Sequence, residues 1–227
     1  MGNLKLASTL QVLLDLLAPL RCPLCGFKLV GHKSCPECEL PGAGLILRQL
    51  RSDGRGEYLV LAGGSFEGRL RHLVHAFKYR QDPAALRILV AQTACALPRG
   101  LAWDAIVAVP AHRVRVRERG WEAVEQLARG ISATSGIPMR GGLRRVRYTA
   151  PLTGHGVVGR RKLLRGSIRA APVTGSLLLV DDVLTTGATF RTCRRSLLAA
   201  GARSVDLLVA ARTPPRAAGV EGDPAVC

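Results

Sequence analysis

Aromatic side chains are scarce in this chain, at 4% of 227 residues, so its core has to be aliphatic. Leu, Val and Ala dominate the apolar set, which suits helices packed on a parallel sheet whose buried strands read as short aliphatic runs. Acidic residues are also few: 16 Asp and Glu stand against 33 Lys and Arg, a formal net charge of +17. That balance favours polyanionic partners, whether nucleic acid, an anionic membrane surface or a multiply phosphorylated small molecule, and does not choose among them. A membrane-spanning run is lacking too. Leu10 to Leu20 is apolar, but Asp15 interrupts it and it falls short of the ~20 residues a span needs. No small-residue cleavage site follows it. Leu4, Leu6, Leu10, Leu13, Leu14 and Leu17 instead share one side of an amphipathic helix that packs on its own protein. With 48% hydrophobic and 22% charged residues, wholesale disorder is excluded.

A secreted disulfide framework is likewise missing. The seven cysteines are odd in number; four cluster between Cys22 and Cys38, and Cys95, Cys193 and Cys227 are scattered. Such a distribution points to a metal knuckle in a reducing cytoplasm. Cys22-Pro23-Leu24-Cys25 and Cys35-Pro36-Glu37-Cys38 form two C-x2-C pairs, the usual donor set for tetrahedral Zn²⁺. Gly26 and Gly31 supply turns in the gap. With Cys22, Cys25, Cys35 and Cys38 all bound, no coordination position stays open, so the role is structural. A redox pair needs only one C-x-x-C before a helix, and His32 is a poorer fourth ligand than the thiolates present. Cys95 and Cys193 fall within expected helices, as packed or near-surface thiols.

Composition divides the chain into a leading helix and four-cysteine knuckle (1–42), a connecting helical region (43–100), an α/β domain (101–213) and a tail rich in Pro, Gly and Ala (214–227). In the connecting region, Leu45 to Leu50 reads as a short helix, Ser52 to Gly56 as a polar turn and Glu57 to Ala62 as an extended run. Two amphipathic helices fit Phe66 to Tyr79 and Pro83 to Leu97, the second with Pro just inside its start. From Trp103 strands and helices alternate. Ala105 to Val109, Leu177 to Val180 and Ser204 to Ala210 read as strands. Trp121 to Ile131, ending near Ser135-Gly136, and Ala188 to Ala200 read as helices. That alternation implies crossovers and a parallel sheet, with ligands at the carboxyl ends of its strands.

The most informative stretch is Leu177 to Thr189. Four aliphatic residues make a central strand, Asp181 and Asp182 stand at its carboxyl end, and a small hydroxyl-rich loop enters a helix near Ala188. The helix start offers unpaired N–H groups and positive dipole to a phosphate. Gly187 lets the backbone approach the anion, and Thr185, Thr186 and Thr189 add hydroxyl donors. Asp181 and Asp182 accept hydrogen bonds from a sugar diol, as acidic residues do in dinucleotide sites. An ordinary helix start needs a single capping side chain, and this run has more than capping requires. A 5-phosphate and the ribose beside it fit the pattern.

This thirteen-residue run resembles the fingerprint of the type I phosphoribosyltransferases, which use 5-phosphoribosyl-1-pyrophosphate (PRPP). Nearly the whole chain is similar to one subfamily, the ComF family linked to competence and DNA uptake in bacteria. The resemblance rests on the cysteine knuckle, His75 to Arg80 (HAFKYR), Ala108 to His112 (AVPAH), Arg119-Gly120-Trp121 and the phosphate loop, in that order. It implies the type I phosphoribosyltransferase fold, a parallel sheet flanked by helices, with a small N-terminal zinc module of four cysteines. It assigns Asp181, Asp182, Thr185, Thr186, Gly187, Ala188 and Thr189 to the ribose and 5-phosphate of PRPP. The loop after the first strand would then hold pyrophosphate, with Ala111, His112, Arg113, Arg117 and Arg119 as candidates, in a stretch where four arginines and a histidine fall within eleven residues. Lys78, in the AFKYR motif, is a further candidate. Leu143 to Arg169, with seven arginines and Lys162, resembles the flap that closes over the site. Mg²⁺ is implied as well, held mainly by the pyrophosphate and ribose oxygens.

The chain departs from that family at Glu122, where Asn is usual, and at Leu152 and Leu163, where Gln and Asn are usual. The PRPP half of the site is retained while the acceptor half is altered, and no residue stands out as a general base. Two functions therefore stay open. One is a transferase displacing pyrophosphate from PRPP. The other is a non-catalytic module that keeps a phosphate-binding site and handles single-stranded DNA with uptake-machinery proteins. Aromatic platforms for base stacking look sparse in the sequence.

Overall fold

The computed structural model describes residues 21–22, 26–28, 47–111, 116, 121–146 and 167–214. Seven strands and four helices of at least twelve residues lie within them: β1 (Leu47–Asp53), β2 (Gly56–Ala62), α1 (Gly68–Arg80), α2 (Pro83–Ala94), β3 (Ala105–Ala108), α3 (Ala123–Ser135), β4 (Leu143–Arg145), β5 (Ile168–Ala170), β6 (Ser176–Leu184), α4 (Ala188–Ala199) and β7 (Ser204–Arg212). The central sheet has the order β1-β2-β7-β6-β3. Its β2, β7, β6 and β3 run parallel, and only β1 is antiparallel to its neighbour. Residues 138–140 run along the outer side of β3, where Ile106 N–H donates to Pro138 O and Arg140 N–H to Ile106 O, at 2.8 and 2.9 Å. The expected α/β class, a mostly parallel sheet flanked by helices, is what forms.

Strand alternation sorts the aliphatic residues between two layers. Leu178 and Val180 of β6, with Leu208 and Ala210 of β7, face α1, α2 and α3. Leu177 and Leu179, with Val205, Leu207 and Val209, face Phe190, Cys193 and Leu197 of α4. Leu177, Leu178, Leu179 and Val180 are fully buried, each contributing roughly 1.5–3 kcal/mol. The helix ends follow local chemistry. Asp82 Oδ1 accepts the N–H groups of Ala84 and Ala85 at 2.8 and 3.1 Å, with Pro83 just inside α2. Gly136 closes α3 with φ of 76°.

Several expectations are corrected. The stretch expected as a helix from Leu45 to Leu50 is strand β1 from Leu47 onward, paired from Leu47↔Ala62 to Asp53↔Gly56. Its leucine spacing fits a helix turn equally well, and the tight turn at Gly54 and Arg55 decided in favour of a hairpin. The connecting region is therefore not only helical: β2 joins the central sheet beside β7, and α1 and α2 cover one face of it. Strand β6 runs on through both aspartates to Leu184, because β7 continues beside it to Arg212. Helix α2 stops at Ala94, which leaves Cys95 exposed at its end. Cys193 is buried in α4 as expected, and burial pushes its thiol pKa up.

Candidate functional site

The site forms where β3 and β6 end. Val109 N–H still pairs with Val180 O at 2.9 Å, and beyond it Pro110 and Ala111 turn away from the sheet. Opposite them, α1 is held by Phe77, which is fully buried and meets Trp121 edge-on at 5.0 Å between ring centroids. This contact joins two separated sequence motifs, HAFKYR and Arg119-Gly120-Trp121. Fixing Phe77 aims the next side chain, Lys78, at the end of β6. Its Nζ lies 2.7 Å from Asp182 Oδ2, and the carboxylate side chain is only 9% exposed.

Lys78, Ala111, Asp181, Asp182 and Thr189 thus line one cavity of about 200 Å³, together with Trp121 and Arg145. The two aspartates have different surroundings. Asp182 follows the parity of Leu178 and Val180 and leans toward α1. Asp181 follows Leu177 and Leu179 and lies on the α4 side, near Cys193. Asp182 N–H donates to Asp181 Oδ1 at 2.9 Å, and Val183 N–H to Asp182 Oδ1 at 2.6 Å. Desolvation of its carboxyl group, with repulsion from Asp182 second, raises the Asp181 pKa to about 7, although the residue keeps some exposed surface. Lys78, the Asp182 N–H and Arg145 pull the other way. Trp121 Nε1–H is buried at the wall of this cavity with no hydrogen-bond partner among the described residues, a donor left for something else.

The loop Thr185 to Gly187 turns toward its other side. Gly187 adopts φ of 70° and starts α4, its carbonyl accepting Arg191 N–H at 2.9 Å, with no side-chain cap. Thr185, Thr186 and Gly187 line a separate cleft of about 90 Å³ with Arg51, Arg191 and Arg212. Ala188 is buried beneath. The residues grouped by the sequence as one cradle therefore face two spaces. His112, Arg113, Arg117 and Arg119 lie outside the described residues.

A third, larger cavity of about 980 Å³ adjoins the first through Val109, Pro110, Ala111, Val124 and Arg145. Glu122, the residue before α3, lines it with Glu125 and Arg129. A hydrogen bond between the two carboxyls, then burial, raises the Glu122 pKa; the same bond, then Arg129 at 2.5 Å, lowers that of Glu125. Leu152 and Leu163 lie outside the described residues, as does most of the expected flap. Its two ends are the antiparallel strands β4 and β5, with Leu143 opposite Ala170.

Of the four knuckle cysteines only Cys22 is described, 3% exposed against the core. Gly26, at φ of 77°, makes the turn expected of it, with its N–H on Cys22 O at 2.8 Å. Cys25, Cys35 and Cys38 lie outside the described residues. Sequence reasoning missed Arg51, Arg191 and Arg212 as a group, because they come from three separate elements. It also gave no separate weight to Arg145.

No protein-family model and no curated protein matches the chain. Among solved structures it is similar to a Leishmania donovani UMP synthase (20% identity, TM-score 0.37, over 62% of this chain and 24% of that one). It is also similar to an allosteric regulatory enzyme of purine biosynthesis (20%, 0.39, 60% and 30%). A third similarity is to the glutamine PRPP amidotransferase from B. subtilis complexed with ADP and GMP (18%, 0.40, 70% and 34%). The chain spans from 24% to 34% of the length of these structures. Among the described residues, no helix is long and apolar enough to cross a membrane.

Proposed function

We propose that the chain binds PRPP, or a related phosphoribosyl ligand, in the cavity between α1 and the ends of β3 and β6, as a type I phosphoribosyltransferase domain of ComF type. The observation that carries this is the Lys78–Asp182 pair beside Asp181, at the carboxyl ends of parallel strands and next to a glycine-started helix. In this reading Asp181 and Asp182 take the ribose hydroxyls in that cavity, and Thr185 to Thr189, which lead from it to the cleft on the α4 side, take the 5-phosphate. Lys78, with Ala111, His112, Arg113, Arg117 and Arg119, takes the pyrophosphate. Among the described residues no three carboxylate, imidazole or thiol groups gather into a metal cage. Mg²⁺ would therefore enter with the ligand's own phosphates, and Asp181 and Asp182 are hard oxygen donors suited to it. A reaction here breaks the bond from the anomeric carbon to pyrophosphate, which leaves with the electron pair, and an acceptor lone pair forms the new bond. Positioning and charge stabilisation carry such a step. Cys22, Cys25, Cys35 and Cys38 are proposed to hold one structural Zn²⁺, and a role in competence and DNA uptake goes with the family resemblance.

Isothermal titration with PRPP and Mg²⁺, then a nucleobase screen for pyrophosphate release, tests the assignment. Saturable PRPP binding is expected; none at millimolar ligand would end it. Elemental analysis of chelator-free protein should find about one Zn²⁺ per chain.

A second reading, single-stranded DNA handling, gains from one feature. Phe66, just before α1, and His75 and Tyr79 on it form an aromatic ladder, with centroids 6.1 and 5.4 Å apart, and Tyr79 is 61% exposed. Burial and then Arg71, Lys78 and His72 lower the His75 pKa, which favours a neutral, stackable ring. DNA affinity that falls with salt at about −0.7 per phosphate, and with Tyr79→Ala, would support it. Displacement of the DNA by PRPP would tie the DNA surface to the pyrophosphate loop.

A further inference from the structure

Both carboxylate oxygens of Asp182 are engaged, by partners of different kinds. Oδ1 accepts Val183 N–H at 2.6 Å, and Oδ2 lies 2.7 Å from Lys78 Nζ. The first partner is backbone of β6, fixed in place because the strand pairs with β7 as far as Leu184. The second can move. Lys78 stands in the last turn of α1 with its side chain 22% exposed, and the residues before it, Ala76 and Phe77, are buried. The helix is thus held under a flexible stem, and the ammonium can swing without it. Pro110 and Ala111 line the same cavity, so the start of the loop after β3 shares that space with the ammonium.

A lysine suits an exchangeable contact, being a compact point charge on four carbons. Arg194 shows the opposite case, its guanidinium spread over Asp53 and three carbonyls. Mg²⁺ takes oxygen ligands at about 2.0–2.1 Å and sheds its water reluctantly, so it needs a carboxylate with its charge available. Asp182 with an ammonium on Oδ2 offers that charge already neutralised, and a second cation would meet repulsion from the first. An anion near Ala111 would give the ammonium another partner and release the carboxylate. We propose that Lys78 and a divalent cation are alternatives at Asp182, so that Mg²⁺ is held there only together with a phosphorylated ligand that draws the ammonium away. The inference rests on the PRPP reading for the identity of that ligand, and it makes metal and ligand binding cooperative.

The test is calorimetric titration of the full chain with Mg²⁺ alone, then with PRPP at saturating Mg²⁺, both at about pH 8.5, where carboxylates are ionised. The parent chain should bind Mg²⁺ alone weakly. Lys78→Met and Lys78→Gln should bind it roughly tenfold to a hundredfold more tightly, the scale on which one close charge acts on a carboxylate. The same variants should bind PRPP roughly tenfold more weakly. Mg²⁺ should also raise the Tm of Lys78→Met and leave that of the parent unchanged, a readout that serves even in a destabilised variant. Asp182→Asn added to Lys78→Met should abolish the gain in Mg²⁺ affinity. Lys78 variants that bind Mg²⁺ no better than the parent, or a gain that survives Asp182→Asn, would overturn the proposal. Weakening of both ligands together in a variant that keeps its Tm would overturn it too. An Asp182-dependent gain in Mg²⁺ affinity in a chain that binds no PRPP would count against the proposed function alone and leave the exclusion of metal by Lys78 standing.

Discussion

On the α1 side of the loop that follows β6, opposite charges meet: Lys78 lies 2.7 Å from Asp182, with Asp181 alongside. On its α4 side three arginines face no acid among the described residues. One turn further along α4, Arg194 shows a third arrangement. It is 2% exposed, with Nη1 2.6 Å from Asp53 Oδ1 and Nη2 on the carbonyls of Arg55, Gly56 and Glu57, above the Tyr58 ring. That guanidinium belongs to the fold, for it clamps the β1–β2 turn to α4. The contrast teaches how to sort arginines in so basic a chain. A compensated arginine holds structure, while Arg51 and Arg212 share only the neutral Gln49 amide oxygen.

The largest effect should come from breaking the compensated case. Arg194→Met removes the guanidinium from Asp53, which keeps only the Arg55 N–H, and from three carbonyls, and should cost about 3 kcal/mol of stability by urea denaturation, the scale for a broken buried pair. A variant as stable as the parent would remove the distinction drawn above. Next, Asp182→Asn attacks the balanced side. It should weaken PRPP binding by about 1.5–3 kcal/mol in calorimetry. It should also lower the Asp181 pKa, since the Asp182 charge is one of the causes raising it. Lys78→Met should shift that pKa upward instead.

The same carboxyl makes a pH prediction. Folded Asp181 holds its proton to about pH 7, whereas an unfolded aspartate releases it near ~3.9. Its contribution to stability is therefore full below about pH 4 and is lost as pH rises through about 7, because the folded state binds the extra proton across that window. Binding of PRPP with Mg²⁺ favours the ionised form. Affinity should rise from about pH 5 to about 7 and then level, with proton release visible as a buffer-dependent heat. A flat pH profile would mean that Asp181 is already ionised in the free protein. The smallest effect belongs to the glycine between the two sides. Gly187→Ala puts a Cβ on a residue at φ of 70° and should cost about 1 kcal/mol, with Arg191 Nη1 the nearest atom to yield.

Much of this arrangement is legible in the sequence. Leu177 to Thr189 is contiguous, so its strand, acids, loop and helix start announce themselves, and Ala105 to Val109 and Ser204 to Ala210 are aliphatic enough to be strands by composition alone. The start of β1 reads as a helix because its leucine spacing suits one as well. Its strand state comes from pairing with β2, and its Arg48 is anchored by Ala96 O at 3.0 Å, contacts that no local window contains. Lys78 is a candidate from its motif, but its partner is not legible there, because the pair spans α1 and β6. The arginine cleft is hidden for the same reason.

Local features are what the order of amino acids sets: the period-two burial of β6, the opposite parity of Asp181 and Asp182, and a glycine at the loop position of positive φ before α4. Those follow from backbone geometry and side-chain shape, which act over a few residues. Tertiary structure decided what each of them faces. Packing of Phe77 on Trp121 aims Lys78 at one carboxylate and leaves the other desolvated, and the hairpin docked on α4 brings Arg51 and Arg212 onto one glutamine and Arg194 onto Asp53. Electrostatic partners are chosen by distance in space, and only the folded sheet brings these charges within reach of one another.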